Sequence, residues 1–192
     1  MSNTADRAQT PTGVNHLVLN VRDLEESHRF WTEMIGFKCV AELKPKAGRT
    51  MQMRFYSGVN EDGQVSHHDL ALAQIPDGAA LKPEPWGMGP RTIGVNHVAI
   101  CYPTRDAWLK QVAFLKSQGV PIHLRIDHGM THSIYISDPN GHGIEILYEL
   151  PREIWENDIE GAQNYAERLP PDDDASLVDS TEYPRFGAAN KG

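Results

Sequence analysis

A seven-residue apolar pattern occurs twice in this chain, its first four residues identical. Gly13-Val14-Asn15-His16-Leu17-Val18-Leu19 returns 81 residues later as Gly94-Val95-Asn96-His97-Val98-Ala99-Ile100. Both copies are short apolar runs rich in β-branched residues, so both read as strands. Each is followed by a helical pattern with its own start signal. In the first copy Asp23 stands as an N-cap with Glu26 three residues on, the capping-box spacing. Leu24, Phe30, Trp31, Met34 and Ile35 then make an apolar stripe that stops at Gly36, where a glycine can close a helix. In the second copy Thr104 caps, Ala107, Trp108, Val112, Phe114 and Leu115 supply the stripe, and Gly119 and Pro121 mark the exit.

Three strand-like runs follow each helix: 37–43, 50–57 and 68–75 in the first half, and 122–126, 133–137 and 144–149 in the second. The last two are joined by the turn Asp138-Pro139-Asn140-Gly141. The order is therefore βαβββ twice over, an α+β chain of two tandem modules. A four-stranded half cannot cover both faces of its sheet unaided, so the two are expected to pair as one curved-sheet domain with a cleft on a pseudo-twofold axis. The expected boundaries are a flexible N-terminus over 1–12, a domain over 13–150 and a C-terminal arm over 151–192. Within the domain, module 1 covers 13–75, a linker 76–92 and module 2 93–150. The linker holds four of the thirteen prolines together with Trp86 and Met88. Ile159, Tyr165, Leu169, Leu177 and Tyr183 suggest that the arm packs on the domain or on a neighbouring subunit.

His16 and His97 occupy the same place in the two repeats. Strand alternation sets Val14, His16 and Val18 on one face, and Val95, His97 and Ala99 on the matching face of the other half. A single buried histidine is most simply a satisfied core residue, but packing alone has no reason to select it twice at equivalent positions. Glu145 stands mid-strand in Ile144-Glu145-Ile146-Leu147, where a carboxylate is costly unless paired or bound to a metal. Two imidazoles and one carboxylate with positions left open suit non-haem Fe(II), and the same set holds Zn(II) or Mn(II). His68, at the start of the fourth strand, is the next candidate, as a fourth ligand or as a base beside the metal. Strand alternation sends its neighbour His67 to the opposite face.

The tandem βαβββ plan with these positions resembles the vicinal oxygen chelate superfamily of glyoxalases, bleomycin resistance proteins and extradiol dioxygenases. Within it, the stretch from Asp127-His128-Gly129 through Ile134-Tyr135 and Asp138-Pro139-Asn140-Gly141 to Glu145 resembles the closing motif of type I extradiol ring-cleaving dioxygenases. His68-Asp69-Leu70-Ala71 resembles their His-Asp-x-Ala segment. The likeness covers about residues 13–150 and is strongest to short, single-domain catechol dioxygenases. It implies Fe(II), with Mn(II) as the variant ion, held by His16, His97 and Glu145. It also implies that His68 is an acid/base, that Tyr135 hydrogen-bonds the bound diol oxygen, and that His128 lines the substrate side. The implied substrates are a catechol-type diol and O2, the setting aromatic catabolism, and the assembly a homo-oligomer. The alternatives are a glyoxalase-like isomerase or lyase with Zn(II) or Ni(II), for which Arg49, Arg54, Arg91 and Arg125 could serve an anionic substrate, and a ligand-binding protein without catalysis.

Composition narrows the partners. Eighteen Lys+Arg against twenty-six Asp+Glu leave a formal charge of −8 with no basic stripe, which argues against nucleic acid and anionic membrane surfaces. No apolar run approaches the ~20 residues of a membrane span. The polar first dozen residues carry no signal-peptide core, so a cytoplasmic location is expected. Only Cys39 and Cys101 occur, without a metal-knuckle spacing. His28 reads as solvent-facing, and His123, His132 and His142 as structural or surface residues.

Overall fold

The computed structural model describes residues 11–43, 51–89, 93–171 and 185–187. Arg49, Arg91, Leu177 and Tyr183 lie outside them. The chain forms two compact units that part between Leu81 and Lys82. Each carries one copy of the repeat.

The first unit is a four-stranded mixed sheet in the order β1-β4-β3-β2. It comprises β1 (Leu17–Val21), β2 (Lys38–Glu42), β3 (Met53–Ser57) and β4 (Leu70–Gln74). β1 runs parallel to β4, and the other pairings are antiparallel. The helix α1 (Leu24–Arg29) starts at Asp23, whose carboxylate accepts from Glu26 N at 2.8 Å. It then widens into a π-helical turn over Phe30–Met34, with Ile35 N bonded to Phe30 O. That turn buries the adjacent rings Phe30 and Trp31, and Ile35 one turn later, all from the apolar stripe. Gly36 follows with φ 89, the left-handed conformation that a side chain resists. Leu19, Val21, Trp31, Tyr56, Leu70 and Leu72 make the core of this unit. His28 departs from expectation: it is half-buried, its Nδ1 3.1 Å from the Tyr56 hydroxyl.

The second unit is a five-stranded mixed sheet in the order β5-β8-β7-β6-β9. Its strands are β5 (His97–Cys101), β6 (Leu124–Asp127), β7 (Thr131–Ser137), β8 (Gly143–Glu149) and β9 (Glu167–Leu169). The helix α2 (Arg105–Ser117) is capped by Thr104, whose hydroxyl accepts from Ala107 N. Cross-strand pairs Ile134–Ile146 and Ile136–Ile144 bury one face of the sheet. Trp108 from α2, fully buried, donates its indole N–H to Ile146 O at 2.9 Å. Tyr135 and Glu145 pair on the opposite face.

Two features of this unit were not legible in advance. The C-terminal segment adds the fifth strand β9 through antiparallel pairing with β6, after the short helix α3 (Ile159–Gln163). Of the two readings open for His132, structural or surface, it takes the structural one, with a partner the sequence did not name. It is fully buried between Trp108 and Tyr148, and its Nε2 accepts from Nε of the equally buried Arg125 at 3.1 Å. Both cysteines are exposed thiols. Among the described residues no helix is long and apolar enough to cross a membrane.

Candidate metal and diol site

In the second unit the register of three strands brings four of the candidate residues together. β5 and β8 run parallel with His97 opposite Gly143, so Glu145 is the next side chain along the same face. His97 Nε2 lies 3.2 Å from Glu145 Oε2. β7 then sets Tyr135 directly across from Glu145, and the phenol donates to Glu145 Oε1 at 2.9 Å. The phenol oxygen in turn accepts from His128 Nε2 at 2.9 Å. The result is a continuous row from His128 through Tyr135 to Glu145 and His97.

The electrostatics of the row follow from its burial. Glu145 is only 7% exposed. Burial opposes its ionisation, but hydrogen bonds from His97, Ser133 and Tyr135 outweigh it and hold the carboxyl below the usual range. Tyr135 is pushed well above the ordinary phenol value by burial, then by the Glu145 charge, so its proton stays on. Burial also lowers His128, which keeps it neutral near pH 7 against the pull of Glu145 and Asp127. A cavity of about 330 Å³ opens on this row, walled by Met88, Met130, Leu147, Ala162 and Tyr165. Ala162 and Tyr165 come from the C-terminal segment and Met88 from the linker. None of the three was a candidate, since only packing shows what these segments cover.

In the first unit, His16 lies beside His68 with ring centroids 4.3 Å apart. The parallel pairing of Leu17 with Leu70 explains this, because it sets the residues before each strand next to one another. His67 joins them, its Nδ1 2.8 Å from His68 Nδ1 and its ring 6.3 Å from His16. The expectation that His67 points away is therefore wrong. Residues 67 and 68 precede β4, where the period-2 alternation of a strand does not yet apply. Asp69 ties this corner down by accepting from Ser66 Oγ, Gly58 N and Ser57 Oγ. A larger cavity of about 1020 Å³ in this unit, beside Asp23, Glu25, Gln74 and Asp77, touches none of the candidate residues.

Within either unit, among the described residues, no three His, Cys, Asp or Glu side chains gather into a group able to hold a metal. The second unit does present a fitting pair, an imidazole nitrogen beside a buried, ionised carboxylate. These are donors that a hard or borderline divalent cation takes. His16, in the first unit, carries the same neighbour as His97: each Nδ1 lies 2.8 Å from Oδ1 of the preceding asparagine.

Residues 13–146 match the family model of the Glyoxalase/Bleomycin resistance protein/Dioxygenase superfamily. The chain belongs to this superfamily. It is 30% identical over 151 residues to a catechol-2,3-dioxygenase of Bacillus subtilis, covering 78% of this chain and 46% of that protein. Against biphenyl-2,3-diol 1,2-dioxygenase 3 of Rhodococcus globerulus the identity is 28% over 131 residues, covering 68% of this chain and 60% of that one. The chain thus spans about half the length of these two relatives. A lactoylglutathione lyase of Pseudomonas putida is 25% identical over 163 residues, 77% of this chain and 91% of that protein. Among solved structures, a glyoxylase/bleomycin resistance protein/dioxygenase domain from Frankia sp. EAN1pec superposes with a TM-score of 0.56 at 17% identity. That superposition covers 73% of this chain and all of the other, and shows a shared fold.

Proposed function

We propose that this superfamily member is an Fe(II)-dependent extradiol dioxygenase that opens the ring of a catechol-type diol with O2. The observation that carries the reading is the His128–Tyr135–Glu145–His97 row at the floor of an apolar-walled cavity. The diol dioxygenase relatives support it. In this reading His16, His97 and Glu145 would hold the metal, with Mn(II) as the variant ion. Fe(II) bound there supplies the redox link between diol and O2.

The chain's own residues supply the rest. The Tyr135 hydroxyl, kept protonated, orients a diol oxygen while Glu145 stays ionised beneath it. His128, neutral near pH 7, lines the substrate side and fixes the phenol through its Nε2. His68 has its Nδ1 engaged by His67, so its Nε2 is the nitrogen left to accept a diol proton. Met88, Met130 and Leu147 exclude water and provide apolar contact for an aromatic ring.

The deciding test loads the protein with Fe(II) anaerobically and adds catechol, 3-methylcatechol or 2,3-dihydroxybiphenyl in aerated buffer. Oxygen uptake with a yellow ring-opened product is expected, and both should vanish in Glu145→Ala. The match across most of a lactoylglutathione lyase supports a second reading, a glyoxalase-like isomerase with His68 as fourth ligand. Bound iron without oxygen uptake on any diol, together with turnover of a hemithioacetal by the Zn(II) or Ni(II) form, would replace the first reading with the second.

A further inference from the structure

We propose that Asn96 is the positioning residue of His97. Its Oδ1 keeps the imidazole proton on Nδ1, and this leaves Nε2, on the Glu145 side, as the ligand nitrogen. The inference rests on the metal site proposed above and extends it to residues outside the ligand set.

The hydrogen-bond inventory of the asparagine decides the matter. Asn96 Nδ2 donates to the Met88 carbonyl at 3.1 Å. Only the amide nitrogen can donate to a carbonyl, so the other amide atom, facing His97 Nδ1 at 2.8 Å, is the oxygen. An oxygen without hydrogen cannot donate, and the proton between them must sit on Nδ1. With Nδ1 held by Asn96, the nitrogen left for a metal is Nε2, which bonds Glu145 Oε2 at 3.2 Å in the metal-free protein and would give up that proton as the metal binds.

Asn96 is itself held from the linker. Trp86 donates its indole N–H to the Asn96 backbone carbonyl at 2.7 Å. The indole stacks on Tyr135, ring centroids 5.6 Å apart and planes 7° from parallel. It lies directly over Gly143, whose missing side chain makes room for it. Residues 86–88 thus act as a strap that clamps both ends of Asn96 and touches the phenol of the same row. The first repeat carries the same Asn-His pair at the same distance, with Asn15 on His16. This gives the repeated dipeptide a chemical reason.

The test uses the full chain loaded with Zn(II), a diamagnetic probe, and reads metal affinity and the 15N and proton resonances of the His97 ring. In the wild-type protein the Nδ1 proton should be visible and slow to exchange with water. Asn96→Leu should remove that signal and weaken Zn(II) binding about 10- to 100-fold, the usual loss when a ligand histidine is deprived of its partner. Asn96→Asp keeps an acceptor and should retain both the signal and most of the affinity. Trp86→Phe keeps the stack on Tyr135 but loses the bond to Asn96, and should fall between the two. A wild-type His97 protonated on Nε2, wild-type affinity in Asn96→Leu, or equal losses in Asn96→Asp and Asn96→Leu would each overturn the proposal. If Asn96→Leu does not fold, the wild-type ring signals and Trp86→Phe decide it. His97→Ala separates the two levels. Unchanged Zn(II) binding in it refutes the ligand assignment, whereas lost binding in His97→Ala with retained binding in Asn96→Leu refutes only the positioning.

Discussion

The phenol of Tyr135 is both a donor, to Glu145, and an acceptor, from His128. Its removal therefore breaks two hydrogen bonds without opening a large cavity. Tyr135→Phe should keep the fold and bound metal but lower kcat on a catechol by about 100-fold, the low end for loss of a positioned polar group. Steady-state kinetics beside metal analysis would check this, and a loss of metal without loss of kcat per bound metal would contradict it. Asp69 makes a different prediction. Burial opposes its charge, but hydrogen bonds from Ser66, Gly58 and Ser57 prevail and hold its carboxyl below the ordinary value. A folded pKa below the unfolded one means that the unfolded chain binds more protons. The stabilisation is then complete above the ordinary carboxylate value and is lost as pH falls through the lowered one. Asp69→Asn should remove that contribution, about 1 kcal/mol or less because the carboxylate is exposed to solvent. Urea melts at pH 7 should separate the two proteins, and melts below the folded pKa should bring them together. Reading residues one at a time singled out Glu145, His97 and His68, and the family resemblance added Tyr135 and His128. His67 was sent to the opposite face, because the alternation rule was applied at residues 67 and 68, ahead of the start of β4 at Leu70.

At the scale of elements, the caps at Asp23 and Thr104 and the closing glycine Gly36 were readable because they depend on near neighbours in the chain. The π-helical turn over Phe30–Met34 was not, since it answers to the core in which Phe30 and Trp31 are buried. The strap over β8 is likewise a packing decision. A Cβ built on Gly143 would run into the Trp86 indole, so Gly143→Ala should displace the ring from Tyr135 and Asn96. Overpacking of this kind costs about 1–3 kcal/mol. Thermal melts should show the lower Tm, and tryptophan fluorescence the altered stack; an unchanged melt and spectrum would mean that the strap moves aside freely.

For the molecule as a whole, binding of metal to the proposed ligands should add to the stability of the folded chain. A ligand present at 100 times its dissociation constant contributes about 2.7 kcal/mol. Chelation of Fe(II) should therefore lower the Tm of the wild-type protein, while His16→Ala, His97→Ala and Glu145→Ala should melt alike with and without chelator. A chelator effect that survives His16→Ala would remove that residue from the ligand set. The doubled Gly-Val-Asn-His run, the helix signals and the lone mid-strand glutamate determined the α+β class, the tandem order and the candidate ligands, because periodicity and local caps are written over neighbouring residues. Tertiary structure alone decided that the C-terminal segment supplies β9 and a wall of the cavity, that Arg125 and His132 are buried together, and that Trp86 and Met88 clamp Asn96. Those contacts join residues distant in the chain, and only the packing of whole elements brings them within reach.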